Sequence, residues 1–259
     1  MPEEVTAEPV LTAHISFDRR KVLRLIGAGA IGALVTSCGG SASSSSSSGS
    51  TTGSSSCAVT LEGEEGPYFV DDSASGFNRS NILSNLDESN TQSGIPLTLT
   101  LIVQDNKNSC AVMSSVQIDI WHCNADGVYS DEGVESTVGE TWLRGYQVTD
   151  STGTVKFITI FPGWYQGRAT HIHLRVRSSY DNSSTGETNT TQLCFPQDTI
   201  NTVNTSIAPY SSHGTNSTTN ANDHVYTPET AGTTLLTLSG DTTSGFTATF
   251  KINLPIAAA

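Results

Sequence analysis

Basic residues are scarce in this 259-residue chain: 12 Lys and Arg stand against 25 Asp and Glu, a net charge of −13. That shortage argues against nucleic acid as a partner, because binding a polyphosphate needs a cationic face that displaces counterions. Long apolar runs are missing too. No stretch of 18 apolar residues exists, so nothing in the mature chain is expected to span a bilayer. Charge of either sign is thin, at 14% of residues, and polarity comes instead from Ser, Thr, Asn and 23 glycines. Good helix formers are correspondingly few and turn formers abundant, a composition that suits an exported β-rich protein better than a helical one.

The first 56 residues read as an address and a tether. Arg19-Arg20-Lys21 and Arg24 precede a weakly apolar run from Leu25 to Val35, the layout of a secretory signal. Arg19-Arg20 with Val22-Leu23 just after resembles the twin-arginine class; an ordinary secretory signal is the alternative. Cys38 stands where lipoprotein signals place the cysteine that is cut and lipidated, although Leu34-Val35-Thr36-Ser37 fits that box loosely. Cleavage elsewhere with a free leader is the other reading. Gly39 to Ser56 is nearly all Ser, Gly and Thr, a flexible spacer unable to bury a core. The expected organisation is therefore a signal over 1–38, a linker over 39–56 and one folded domain over 57–259. The protein is expected to be exported, periplasmic or at the cell surface, and anchored to the membrane if Cys38 is lipidated. Setting Cys38 aside leaves Cys57, Cys110, Cys123 and Cys194, which in an oxidising compartment permit two disulfides in any of three connectivities. Their spacing fits no zinc pattern.

From Cys57 onward period-two runs dominate. Leu97, Leu99, Leu101 and Val103 alternate with polar neighbours or Ile102, and Val116 to Trp121 alternates cleanly. Thr154–Phe161, His171–Arg177, Thr191–Phe195, Thr233–Ser239 and Phe246–Leu254 are further strand candidates. Asp105-Asn106, Asp126-Gly127, Asp150–Gly153 and Pro162-Gly163 supply turns. No amphipathic helix of three turns is evident, and Ser178–Thr190 and Thr199–Asn222 read as long surface loops. The expected fold is all-β, an antiparallel two-sheet sandwich.

Chemistry concentrates in Phe161-Pro162-Gly163-Trp164-Tyr165-Gln166-Gly167-Arg168-Ala169-Thr170-His171-Ile172-His173. On a strand, residues i and i+2 share a face, so His171 and His173 present two imidazoles side by side. Arg175 and Arg177 share that face, and a merely polar, solvated strand would look the same. Tyr165 lies just past the Pro-Gly turn, within reach of the start of the histidine strand. Tyr129 follows a second turn in Trp121-His122-Cys123-Asn124-Ala125-Asp126-Gly127-Val128-Tyr129. His122 is expected to satisfy a local hydrogen bond, and His213 and His224 have no evident partner.

Together with Gly66-Pro67-Tyr68, Arg79-Ser80-Asn81-Ile82, Gly94-Ile95-Pro96-Leu97, Asp119-Ile120-Trp121, Leu143–Asp150 and Thr191-Gln192-Leu193, this block resembles the intradiol ring-cleavage dioxygenases, the family of catechol and protocatechuate 3,4-dioxygenases. The resemblance covers most of Cys57 to Pro196. It implies iron ligands at Tyr129, Tyr165, His171 and His173, a catalytic arginine at Arg168, and pocket contacts at Gln192 and Tyr68. The implied cofactor is non-haem Fe(III), since phenolates are hard anionic oxygens that favour the trivalent state. The implied partners are a small aromatic diol and O2. Cleavage between the two hydroxylated carbons inserts both oxygen atoms and gives a cis,cis-muconate-type diacid, with Tyr165 as the ligand displaced by the diol. Two departures stand out. The gap from Tyr165 to Arg168 is shorter than in the cytoplasmic enzymes, and their helical dimerisation segment is replaced by the leader and tether. A non-catalytic sandwich lipoprotein is the rival reading. An Fe(II) enzyme with two histidines and a carboxylate ranks last, because no carboxylate stands near His171 and His173 in the sequence.

Overall fold

The computed structural model describes residues 57–70, 76–177 and 188–255. The signal and linker expected over 1–56, with Cys38, lie outside the described residues, as does most of the loop expected at Ser178–Thr190. The described residues form nine strands, two of which, β2 and β4, were not among the expected runs: β1 Pro96–Asp105, β2 Ala111–Val112, β3 Gln117–Trp121, β4 Arg144–Val148, β5 Thr154–Ile160, β6 His171–Arg177, β7 Thr188–Cys194, β8 Leu238–Asp241 and β9 Gly245–Leu254. One sheet runs β4-β3-β6-β7. The other runs β2-β1-β9-β8, with β5 paired along the edge of β1 that β9 leaves open. Among these nine strands every pairing is antiparallel except β1 with β9, which run parallel from Leu97–Phe246 to Asp105–Leu254.

The sheets face each other across a core of Leu97, Leu99, Leu101 and Val103 from β1, Ala248, Ile252 and Leu254 from β9, Ile118 and Ile120 from β3, and Ile172, Leu174 and Val176 from β6. Each such large aliphatic side chain contributes roughly 1.5–3 kcal/mol of transfer free energy. Because β6 spends its even positions on this core, His171, His173, Arg175 and Arg177 point to the opposite face of the sheet. That face is also covered. Every residue of β3 is buried, and the segment from Thr60 to Phe69 lies along it. Gly63 N donates to Thr190 O at 2.8 Å, Glu65 pairs with Arg175 at 3.2 Å, and Phe69 packs edge-on to Trp121. The polar side of β6 is thus an interior, and β6 is a central strand between β3 and β7.

The structure corrects three expectations. The stretch Thr199–Asn222 is not all loop: α1 spans Gln197–Ser206 and α2 spans Tyr210–His213. The inward side of α1 is only Ile200, Val203 and Asn204, too few apolar residues among Asn and Thr to register as an amphipathic pattern. The strand expected at Thr233–Ser239 begins instead as α3, Pro228–Thr234, started by Pro228 and by a reciprocal Thr227–Thr230 capping box, and β8 opens only at Leu238. Of the two disulfides permitted, the described residues hold one, Cys57–Cys110, while Cys123 and Cys194 are buried free thiols. Cys123 continues β3 and Cys194 ends β7, with β6 between them. Two strand spacings are roughly 9–10 Å, beyond the reach of a disulfide.

Candidate metal centre

Two loops and one strand build the site. Leaving β3, Asn124 folds the chain back: its side-chain oxygen accepts from Asp126 N and Val128 N, each at 3.0 Å, and its backbone N donates to Val128 O at 2.8 Å. This turn delivers Tyr129. It is locked against the loop between β5 and β6, where Gly163 N donates to Asn124 O at 3.0 Å. Only glycine fits at the crossing. A Cβ on Gly127 would lie 2.0 Å from Trp164 O, and one on Gly163 would lie 2.5 Å from Ala125 O. The second loop carries Tyr165 and turns through Arg168, whose N donates to Tyr165 O at 3.3 Å, into His171.

The four side chains converge. Tyr165 Oη lies 3.4 Å from His171 Nε2, and His171 Nε2 lies 3.0 Å from His173 Nε2. The Tyr129 ring centroid is 5.7 Å from that of Tyr165 and 6.2 Å from that of His173. His171 Nδ1 lies 2.6 Å from Ala169 O, a carbonyl that can only accept. The proton therefore sits on Nδ1 and the Nε2 lone pair is turned inward. His173 is clamped flat on Trp121, its partner across β3–β6, at 4.9 Å between ring centroids and 5° between planes. Gly66, at φ +74°, closes the other side: a Cβ there would stand 3.0 Å from His173 Cε1.

The electrostatics describe a place for a cation. Burial, with Arg168 adding to it, takes His171 down to about 3, and burial with neighbouring His171 takes His173 well below the usual imidazole range. Both rings are neutral at ordinary pH, the form that ligates. Burial likewise raises Tyr165 to about 12 and Tyr129 far above an ordinary phenol. Neither phenol ionises alone, but a multivalent cation reverses that balance. Tyr129 Oη and His173 Nδ1 are buried without a hydrogen-bond partner, and orphaned polar atoms of this kind are costly. Among the described residues no group of three or more His, Cys, Asp or Glu side chains could hold a metal, so a cation here has to draw on the phenols. Two phenols and two inward imidazoles fit a trivalent ion in number, charge and hardness.

The other residues expected at the site fall around it. Tyr68 is half-buried and stacks on Tyr129 at 4.3 Å between centroids, with Tyr165 edge-on at 5.5 Å. Arg168 is buried and its Nη2 donates to the Gln192 side-chain oxygen, while Gln192 Nε2 donates to Glu64 O at 2.7 Å. Gln192 stands directly across β6–β7 from His173. His122 bonds Cys123 O and Thr159 Oγ1, as expected of a local structural role. His213 and His224 do have partners, the Trp164 ring at 4.4 Å and Glu64 at 3.5 Å. Sequence reasoning missed Asp223, which pairs with Arg168 at 3.0 Å, and the clamp of Gly66 and Trp121 on His173. Asp223 lies 55 residues from its partner in an Asn- and Thr-rich stretch that gives no local signal.

A family model described as a dioxygenase matches residues 64–213. An intradiol ring-cleavage dioxygenase from Tetranychus urticae is similar in structure, with a TM-score of 0.65 and 27% identity over 78% of this chain and 98% of that one. The dioxygenase domain of a dioxygenase–carbohydrate-binding fusion from Streptomyces sp. SirexAA-E gives a TM-score of 0.54 and 26% identity over 77% and 100%. Among curated sequences, a chlorocatechol 1,2-dioxygenase of Pseudomonas putida is 30% identical over 84 residues, which cover 26% of this chain and 32% of that protein. The chain thus spans about a third of the length of that curated relative.

Proposed function

Because this chain belongs to the intradiol ring-cleavage dioxygenase family, we propose that it cleaves a catechol-type diol with O2 between the two hydroxylated carbons, giving a cis,cis-muconate-type diacid. The observation that carries the reading is the convergence of Tyr129, Tyr165, His171 and His173 on one buried point. These four would hold non-haem Fe(III), and when bound that ion activates the chelated diol toward dioxygen. The chain's own residues do the rest. Tyr165 is the half-buried phenol of the pair, beside the exposed Gln166-Gly167, and is the one placed to yield its position and take a diol proton on Oη. Tyr129 is fully buried under Tyr68 and stays. His171 is held in its ligating tautomer by Ala169 and His173 in its plane by Trp121, so little reorganisation accompanies turnover. Arg168 offers positive charge where negative charge builds on the ring and its oxygens. Tyr68 supplies an aromatic wall, and Gln192 steadies Arg168. The reading includes export, resting on Arg19-Arg20 and Cys38 in the leader.

Purified protein loaded with ferric iron is expected to be burgundy from tyrosinate-to-iron charge transfer and to bleach with dithionite. It should consume O2 with at least one of catechol, hydroxyquinol or protocatechuate and add two oxygen atoms to the product mass. Protein that stays colourless after loading would sink this reading and leave a non-catalytic sandwich.

A further inference from the structure

The Arg168 guanidinium is gripped by a buried carboxylate to which the reaction above gives no part. Asp223 Oδ2 accepts from Arg168 Nε at 3.0 Å and from Ala169 N at 2.7 Å. Its Oδ1 accepts from Arg168 Nη2 at 3.4 Å, Val225 N at 2.8 Å and Tyr226 N at 3.1 Å. Burial alone would raise this carboxyl, yet the donors, Arg168 first, carry it down to about 2. The arginine is held at a second point, where Asn216 Nδ2 donates 2.7 Å to Arg168 O. Nε and Nη2 are therefore committed to Asp223 and Gln192, and neither partner takes Nη1.

We propose that Asp223 is the positioning residue of Arg168, fixing the guanidinium plane so that its remaining edge stays turned toward Tyr165, whose phenol it touches, and toward the bound diol. The proposal rests on the reading that Arg168 faces the reacting ring. A mobile arginine three residues from His171 would spread its charge over many rotamers, and fixing it in advance removes that cost from the reaction step. The five contacts on Asp223 are all donors, which only a carboxylate can satisfy. An amide must turn its NH2 either on Arg168 and Ala169 or on Val225 and Tyr226.

The test is Asp223→Asn in the iron-loaded full chain. We expect kcat to fall about a hundredfold, with KM for the diol nearly unchanged and the visible tyrosinate band retained. Asp223→Glu, which keeps the charge, should regain part of the loss. Combined with Arg168→Ala, Asp223→Asn should slow turnover no further, since it acts only through the arginine. In the iron-free full chain the Arg168 Nε–H resonance should exchange slowly in the wild type and lose that protection in Asp223→Asn. This last readout needs neither iron nor substrate, so it judges the positioning claim even if the wild type consumed no O2 with any diol, an outcome that counts against the reaction itself. A wild-type kcat in Asp223→Asn, or added slowing in the double variant, would overturn the proposal. Should Asp223→Asn not fold, unchanged kcat in Asp223→Glu alongside a freely exchanging Arg168 Nε–H overturns it equally.

Discussion

At the scale of single residues, the candidate centre is decided by what each ring is prevented from doing. His173 cannot tilt, being held between the Trp121 plane and the Gly66 backbone. Gly66→Ala puts a methyl 3.0 Å from His173 Cε1 and forces a left-handed backbone on a residue with a Cβ. We expect it to cost roughly 1–2 kcal/mol of folding stability and to weaken ferric loading, read by denaturant melting and by titration of the visible band. Loading at wild-type affinity would mean the clamp is unimportant. Arg168 tests a different property. Arg168→Ala removes no ligand, and Asp223 retains its three backbone amides, so colour should persist. Turnover should fall about a hundredfold to a thousandfold. An Ala variant that turns over normally would remove Arg168 from the chemistry.

At the scale of elements, β6 is where sequence and site coincide. Its period of two announces both a core face, Ile172-Leu174-Val176, and a histidine face, and both were legible from spacing alone. What hides the histidines from water was not legible. The covering segment from Thr60 to Phe69 has no periodicity, and its contacts reach across the chain, as in Gly63 to Thr190. The same limit explains α1, whose inward face is two aliphatic residues and an asparagine, and Asp223, whose role depends on a partner 55 residues away. Cysteine pairing was undecidable for a related reason: only sheet order puts β6 between Cys123 and Cys194. The disulfide found among the described residues ties the chain just ahead of the covering segment to the turn before β2, across 53 residues. Replacing Cys57 and Cys110 with serine should lower stability by roughly 2–4 kcal/mol, and unreduced, denatured Cys38→Ser protein should titrate two thiols. Unchanged denaturation midpoints would show the segment is held by its hydrogen bonds alone, and zero thiols would refute the free pair.

At the scale of the whole molecule, charge bears on substrate choice. The four cations and four carboxylates of residues 1–38 cancel, so the full −13 rests on residues 57–259. The arginines near the centre are already engaged: Arg168 with Asp223, Arg175 with Glu65, Arg177 with Asp119, and Arg144 with Ser130 and the Tyr68 carbonyl. A diol that carries a carboxylate therefore approaches a negative field and finds these arginines already paired, Arg168 keeping only Nη1 for the reacting ring, whereas an uncharged diol meets the aromatic wall of Tyr68 and Tyr165. Catechol or hydroxyquinol should then have a higher kcat/KM than protocatechuate. The gap should narrow with salt, because the screening length drops from about 30 Å at 0.01 M to about 8 Å at 0.15 M. The measurement is O2 uptake with each diol at the two ionic strengths. A protocatechuate preference that strengthens at low salt would point to a cationic subsite and reverse the argument.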